Sequence, residues 1–385
     1  MLFLTGKLNS SLLHLRYLNH LELSRNRRMP EFLGSMKQLR YLNPWNSIFY
    51  GMVPRQLGNL TKLEVLNLHD YNGDLYLNLL SNFFEGPIWS TLFQNMTSLQ
   101  HLDLSWNSFN SSIPMWFDKF ISLAHLNLEL EHFTNLKCIM LSNNLLSSPI
   151  PSVIGSLSNL KTLDLLGNGL NGTIPPSIGR LSSLRSLDLS NNQLAGHIPE
   201  LLGKLGALQY QLDISKFNLS HNEITGPLPK CNYSYLDPSH NLISGSLPID
   251  IGIMYQVHSL YLNDNLINGN LPSSLSHLDH CPTLTILHLN GNCLNGELPR
   301  ALDYYINLGR YDKYTKIHPQ LVINLDLSSN FLNRSIPEEF SFLLGLHGLN
   351  LSNNHLSQNI PIGIGNRTSL ESLDPLNNHL SKTIP

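Results

Sequence analysis

Apolar residues return along this chain in one short figure, Leu-x-x-Leu-x-Leu-x-x-Asn-x-Leu-x-Gly-x-Ile-Pro. Leu184, Leu187, Leu189, Asn192, Leu194, Gly196, Ile198 and Pro199 make one copy. Leu160, Leu163, Leu165, Asn168, Leu170, Gly172, Ile174 and Pro175 make the copy before it. The Leu-x-Leu part alternates with period two, which predicts a short strand with one buried face. Successive prolines lie 24 residues apart from Pro151 to Pro175 to Pro199, from Pro248 to Pro272, and from Pro337 to Pro361 to Pro385. At that period 385 residues make about 16 coils. A single coil cannot bury its apolar stripe, so stability must arise between neighbours.

The unit is a leucine-rich repeat, and each letter has a mechanical role. Stacked coils are expected to pair their strands at about 4.7–4.9 Å into one parallel sheet. Asn107, Asn168, Asn192, Asn265, Asn292, Asn330, Asn354 and Asn378 follow the strands. Their short amides are expected to turn the chain and satisfy backbone groups of the same and the adjacent coil. Gly in the Gly-x-Ile-Pro segment is assigned to close backbone approach, and Pro to ending a hydrogen-bonded run. The expected fold is a leucine-rich-repeat solenoid whose 24-residue unit resembles the plant type. It would be a curved rod with one parallel β-sheet on its concave face, and 3₁₀ turns and loops on its convex face. Residues 1–299 are assigned to repeats, 300–320 to an interruption and 321–385 to three further repeats.

The 24-residue unit with Gly-x-Ile-Pro and Leu-Gly-x-Leu resembles the repeats of plant cell-surface receptors. Ser11–Leu18, Glu31–Lys37 and Arg55–Leu60 look like the opening repeats of plant receptor-like proteins, the kinase-less group that includes fungal-elicitor receptors. Leu344–Asn354 and Ser369–Asp374 look like their last repeats. The resemblance implies a ligand-sensing ectodomain on the outer side of the plasma membrane, acting in defence or developmental signalling. Its ligand would be a peptide, protein or oligosaccharide, and a receptor kinase would be the signalling partner. Members of that group carry a non-repeat island before their final repeats, and Gly309–Lys316 resembles its closing segment. Tyr304, Tyr305, Arg310, Tyr311 and Tyr314 are the recognition candidates there; the alternative reading is a polar loop left by a lost strand. Members also begin with a signal peptide and a cap and end with a cap and a membrane helix. Met1–Lys7 and Pro385 match neither, so the expectation is a chain truncated at both ends: a fragment, a short gene model or a decayed copy.

Composition sharpens this picture. Leu occurs 81 times and Asn 44 times, as a repeat that re-uses its core letters requires. A formal net charge of −3, with no basic run longer than Arg27-Arg28, argues against nucleic acid. No apolar stretch of ~18 residues is present, so no membrane span is expected. Seventeen histidines occur without a His-Glu-x-x-His motif, and neither a Gly-x-Ser-x-Gly elbow nor a phosphate loop appears, so no catalytic residue, cofactor or metal is expected. His277, His280 and Cys281 lack a fourth ligand by spacing and read as the variable tail of one repeat. Cys281 and Cys293 lie half a coil apart, and both a bridge and two separate thiols are open.

Three coils carry Pro in place of the second Leu of Leu-x-Leu, at Pro44, Pro238 and Pro375, a change that removes a ladder donor. The solvent-facing x positions are the expected ligand contacts: Gln100, His101, Asp103, Ser105 and Trp106 in one coil, then Lys161 and Thr162, then His258, Tyr261 and Asn263, then His288. Trp106 and Tyr261 are the expected anchors, since aromatics give the most contact area per frozen rotamer. The recurring Asp of Leu-Asp-Leu-Ser is assigned to scaffold. Glycosylation candidates are Asn59, Asn95, Asn110, Asn171, Asn218, Asn232, Asn333 and Asn366. A sequon also falls at Asn350, where a glycan would occlude the sheet. A secreted inhibitor of a pathogen's cell-wall hydrolase uses the same repeat and is the rival function.

Overall fold

The computed structural model describes residues 8–23, 28–43, 49–69, 83–86, 88, 92–93, 95–96, 98–110, 136–202, 216–229, 235–247, 257–271, 284–298, 324–342 and 346–381. The chain divides into two units between Leu194 and Ala195. The Tyr-rich stretch with Tyr304, Tyr305, Arg310, Tyr311 and Tyr314 lies outside the described residues, as do Pro44, Asn232, His277, His280 and Cys281.

In the first unit the Leu-x-Leu segments form three-residue parallel strands, beginning His20–Glu22, Tyr41–Asn43 and Val65–Asn67. They continue with His101–Asp103, Cys138–Met140, Thr162–Asp164 and Ser186–Asp188. The register sets apolar on apolar: Leu66 pairs with Leu102, Leu102 with Ile139, Ile139 with Leu163 and Leu163 with Leu187. All five are buried. The second unit repeats the arrangement from Lys216–Asn218 through Tyr235–Asp237, Ser259–Tyr261 and Ile286–His288 to Asn324–Asp326, Gly348–Asn350 and Ser372–Asp374. There Phe217, Leu236, Leu260, Leu287, Leu325 and Leu349 stack in register. Each unit is therefore a leucine-rich-repeat solenoid. Several coils close with a five-residue 3₁₀ helix, such as Glu31–Ser35, Arg55–Asn59, Ser152–Ser156 and Pro176–Arg180.

The sheet expected from Leu-x-Leu is joined by further strands. The Asn-to-Pro half of the coil also forms parallel strands, among them Ser147–Pro149 and Gly169–Thr173 in the first unit. In the second unit Leu242–Ser246, Leu266–Asn270, Cys293–Gly296 and Phe331–Arg334 do the same. Asn-x-Leu-x-Gly continues the period-two alternation, and each edge is covered by the following coil, so Gly does not break the ladder.

The asparagines hold this geometry. Asn192 Nδ2 donates to the carbonyls of Leu189 (3.1 Å) and Ser190 (3.0 Å) in its own coil and of Leu165 (3.0 Å) in the coil before. Its Oδ1 accepts from Leu170 N at 3.1 Å. Asn292, only 5% exposed, repeats the set with Leu289, Asn290, Leu262 and Ile267. One amide thus serves backbone groups that burial would otherwise leave unpaired.

The role assigned to glycine is corrected. Gly51 of the Gly-x-Ile-Pro class has φ +85° and nothing within 4 Å of where a Cβ would stand, so conformation and not room selects it. Close approach of backbone belongs instead to the Leu-Gly-x-Leu glycine. A Cβ on Gly155 would lie 2.2 Å from the Ser177 carbonyl oxygen. At Pro238 the strand survives because the proline follows its last residue. Tyr235 and Leu236 still pair with Ser259 and Leu260, and the Pro238 carbonyl accepts from Asn241 and Asn265. In three coils of the first unit the Asn-x-Leu leucine is replaced by Phe49, Phe84 and Phe109. These are fully buried and stack with centroids 5.8 and 6.3 Å apart.

Candidate functional site

The strand sheets present the residues on either side of each buried leucine, together with the residues just before and after the strand. In the first unit His101 stands beside Cys138, and Cys138 beside Thr162. Burial and, next, the Lys137 charge lower the His101 pKa. The Cys138 thiol is pushed up to about 11 by burial first and then by Asp103 and Asp164. Such a thiol is a poor nucleophile. Lys161 is exposed and Thr162 half-exposed. Trp106 is 45% exposed, as an anchor must be, but it occupies the left-handed region at φ 56°. Its N–H donates to the Ser142 carbonyl at 2.9 Å. Ser105, expected in solvent, is buried: its N–H is held by Asp103 Oδ1 at 3.1 Å and its hydroxyl also meets His69 Nδ1.

That aspartate contact recurs. Asp164, Asp188, Asp237, Asp326 and Asp374 each accept the N–H two residues on. The residue two places on is thereby locked into the turn.

The second unit gathers its aromatics. Tyr261 and His288 are register partners with ring centroids 5.0 Å apart, edge to face. Tyr235 lies 5.5 Å from Tyr261, and its hydroxyl donates to Asp237 Oδ2 at 3.2 Å. Past the strand ends His221 and His240 stack at 4.1 Å, and His240 Nδ1 stands 3.4 Å from Asp264 Oδ2. Asn263 Nδ2 donates to Asp264 Oδ2 (2.8 Å) and meets His240 Nε2 at 3.4 Å. Of the residues expected from sequence, Tyr261, Asn263 and His288 therefore belong to one patch, a half-buried aromatic row rimmed by imidazoles, an amide and a carboxylate. His258 is exposed just before that strand, and its carbonyl accepts the Thr285 hydroxyl at 2.9 Å. Sequence reasoning missed Tyr235, His221 and His240. The signal was there: Ser220-His221-Asn222 and Ser239-His240-Asn241 repeat one tripeptide in successive coils.

Among the described residues no group of three or more His, Cys, Asp or Glu is arranged to hold a metal ion. Cys293 is a free thiol. Among the sequons Asn59, Asn95, Asn110, Asn171, Asn333 and Asn366 are exposed. Asn218 and Asn350 are not: each is half-buried on the sheet, with Oδ1 accepting from Ser220 N and Ser352 N respectively.

The Leucine rich repeat family matches residues 134–194, and a second repeat family of that description matches 98–120, 256–278, 283–304, 322–343 and 345–366. Receptor-like protein EIX1 of Solanum lycopersicum is 36% identical over 153 residues, which take in 34% of this chain and 15% of that protein. Receptor-like protein 39 of Arabidopsis thaliana is 28% identical over 172 residues, 34% of this chain and 20% of that protein. The chain thus spans a small part of the curated relatives it matches. Among solved structures, the plant peptide hormone receptor RGFR1 in complex with RGF2 superposes with TM-score 0.76 and 27% identity, over 99% of this chain and 58% of that one. The Arabidopsis receptor kinase HAESA, solved with the peptide hormone IDA and the co-receptor SERK1, gives 0.72 and 28%, over 97% and 60%.

Proposed function

From its similarity to plant receptor-like proteins and its leucine-rich repeats, we propose that the chain is a ligand-recognition segment of a cell-surface receptor. A peptide is the ligand class, received on the strand-bearing face of the repeats. The observation that carries this reading is the row Tyr235, Tyr261 and His288 with its polar rim. Nothing in the repeat requires rings there, since the equivalent positions of neighbouring coils hold Asn324 and Asp326. Aromatic faces flanked by fixed donors and acceptors are the usual anchors of protein recognition. The solved neighbours support a peptide, and the co-receptor in the HAESA assembly supports a receptor kinase as signalling partner. Similarity to receptor-like proteins supports a place outside the plasma membrane, in defence or development. Among the described residues no helix is long and apolar enough to cross a membrane.

The test is a peptide-library selection on the purified chain, followed by titration of Tyr261→Ala and Tyr261→Phe. Tyr261→Ala is expected to weaken the selected peptide by at least about thirtyfold, and Tyr261→Phe by only a few-fold. Inhibition of a pathogen polygalacturonase with unchanged inhibition by Tyr261→Ala would instead favour the hydrolase-inhibitor reading.

A further inference from the structure

We propose that Asn333 carries an N-linked glycan whose first sugar, an N-acetylglucosamine, lies on the exposed ring of Phe331. This deepens the cell-surface reading above and rests on it, because the modification is made on the secretory route. Phe331–Arg334 forms one strand in which Leu332 is buried while Phe331 and Asn333 share the outward face. Phe331 is 52% exposed, and Asn333 opens the acceptor sequence Asn333-Arg334-Ser335. The strands on either side, Cys293–Gly296 and His355–Gln358, pair with this one. His355 stands beside the phenyl ring, centroids 6.1 Å apart and tilted by 30°, and steadies it without covering it. An ion pair from Arg334 Nε to Glu297 Oε1 at 2.9 Å ties the intervening residue to the preceding coil. The Asn333 side-chain amide makes no hydrogen bond among the described residues.

The same station in other coils shows what is particular here. Asn171 is also exposed and opens a sequon, and Gly172 after it is left-handed at φ 72°, as Arg334 is at 65°. Two residues before Asn171, however, stands Gly169. Leu242 and Leu266 are 47% and 48% exposed at the Phe331 station, but no sequon follows them. Phe93 precedes the Asn95 sequon by two residues but is sealed in the core. Among the described residues, an exposed ring and an acceptor amide meet on one strand face at Phe331 and Asn333.

Side chains two apart on a strand face stand about 6.6–6.8 Å apart, a gap that a side-chain amide and one pyranose span. The C–H face of the sugar covers the ring, so apolar surface on both leaves water while the sugar hydroxyls stay solvated. In the transfer, Asn333 Nδ2 attacks C1 of the sugar of a lipid-linked oligosaccharyl diphosphate, the co-substrate of the secretory lumen. The Nδ2–C1 bond forms, the C1–O bond to the diphosphate breaks, and one amide proton departs with the lipid diphosphate.

The test uses the full chain, exported from plant cells by an appended leader, with its glycans cut back enzymatically to one N-acetylglucosamine. Peptide mass spectrometry is expected to find Asn333 modified. Its acetyl-methyl NMR signal, assigned with Asn333→Gln, should lie upfield of the one at Asn171, shifted by the ring. Phe331→Ser, with Asn333 still modified, should return it to the Asn171 position. The sugar should slow amide exchange at Phe331–Arg334 about fivefold in the parent and leave it unchanged in Phe331→Ser. An unmodified Asn333, coincident methyl signals, or exchange indifferent to the sugar would each overturn the proposal. Because the leader supplies export, these failures leave Tyr261-dependent peptide binding untouched. Loss of that binding beside a ring-shifted sugar would sink the recognition reading alone.

Discussion

Asn292 shows how much one side chain can hold. Its amide serves four backbone groups across two coils, and at 5% exposure water cannot replace it. Asn292→Ala is expected to cost about 2–4 kcal/mol in urea unfolding, because it leaves Ile267 N–H and several carbonyls unpaired. Asn292→Asp should not rescue it, since the donors are lost. This role was legible in the sequence because the letter recurs in most coils. Ser105 was misassigned to solvent: its letter also recurs, in Leu-Asp-Leu-Ser, and each such serine turns inward to the preceding Asp, as Ser190, Ser239 and Ser328 do. His101 supplies a test of charge. Its folded pKa lies below the unfolded value of 6.5, so the folded state resists protonation. Its contribution is complete above pH 6.5 and is lost as pH falls from there toward the folded pKa. His101→Gln is expected to remove that part of the acid-side fall in melting temperature, measured between pH 7 and 5.

The buried phenylalanine row is the element most exposed to a single change. Phe84 stacks on Phe49 and Phe109, and all three are sealed from solvent. Phe84→Ala should destabilise by about 3–5 kcal/mol in chemical denaturation, and Phe84→Leu, which restores the consensus letter, by less than half of that. The first strand of each coil was readable from Leu-x-Leu alone. The second was not, because Gly and Pro ordinarily argue against a strand. In a stack the neighbouring coil supplies the pairing that local propensity withholds. Gly51 makes the same point, since its φ of +85° is a backbone demand that no contact list would disclose.

Across the molecule stability is a sum of nearest-neighbour terms within each unit. Hydrogen exchange of Phe84→Ala should therefore show protection lost at Phe49–Gly51 and Ser108–Phe109 and fading within two or three coils, while Ile286–His288 in the other unit keeps its rates. Uniform loss throughout would contradict this. The fold was legible in the period; the recognition patch was legible only in part. Tyr261, Asn263 and His288 could be picked out one coil at a time, but their meeting with Tyr235 and the paired imidazoles depends on register between coils. Register also places the residue before each turn asparagine in the left-handed region, as at Asn143, Asn191 and Asn353. Trp106 holds that station against its own preference, at a conformational cost of about 1–2 kcal/mol. Selection for a sturdier protein would drive this site to glycine or asparagine, while selection for grip on a partner would keep the indole. Directed evolution under the two pressures should thus split at this one codon, and a bulky side chain at the same station in any other coil would mark where adhesion has prevailed over endurance.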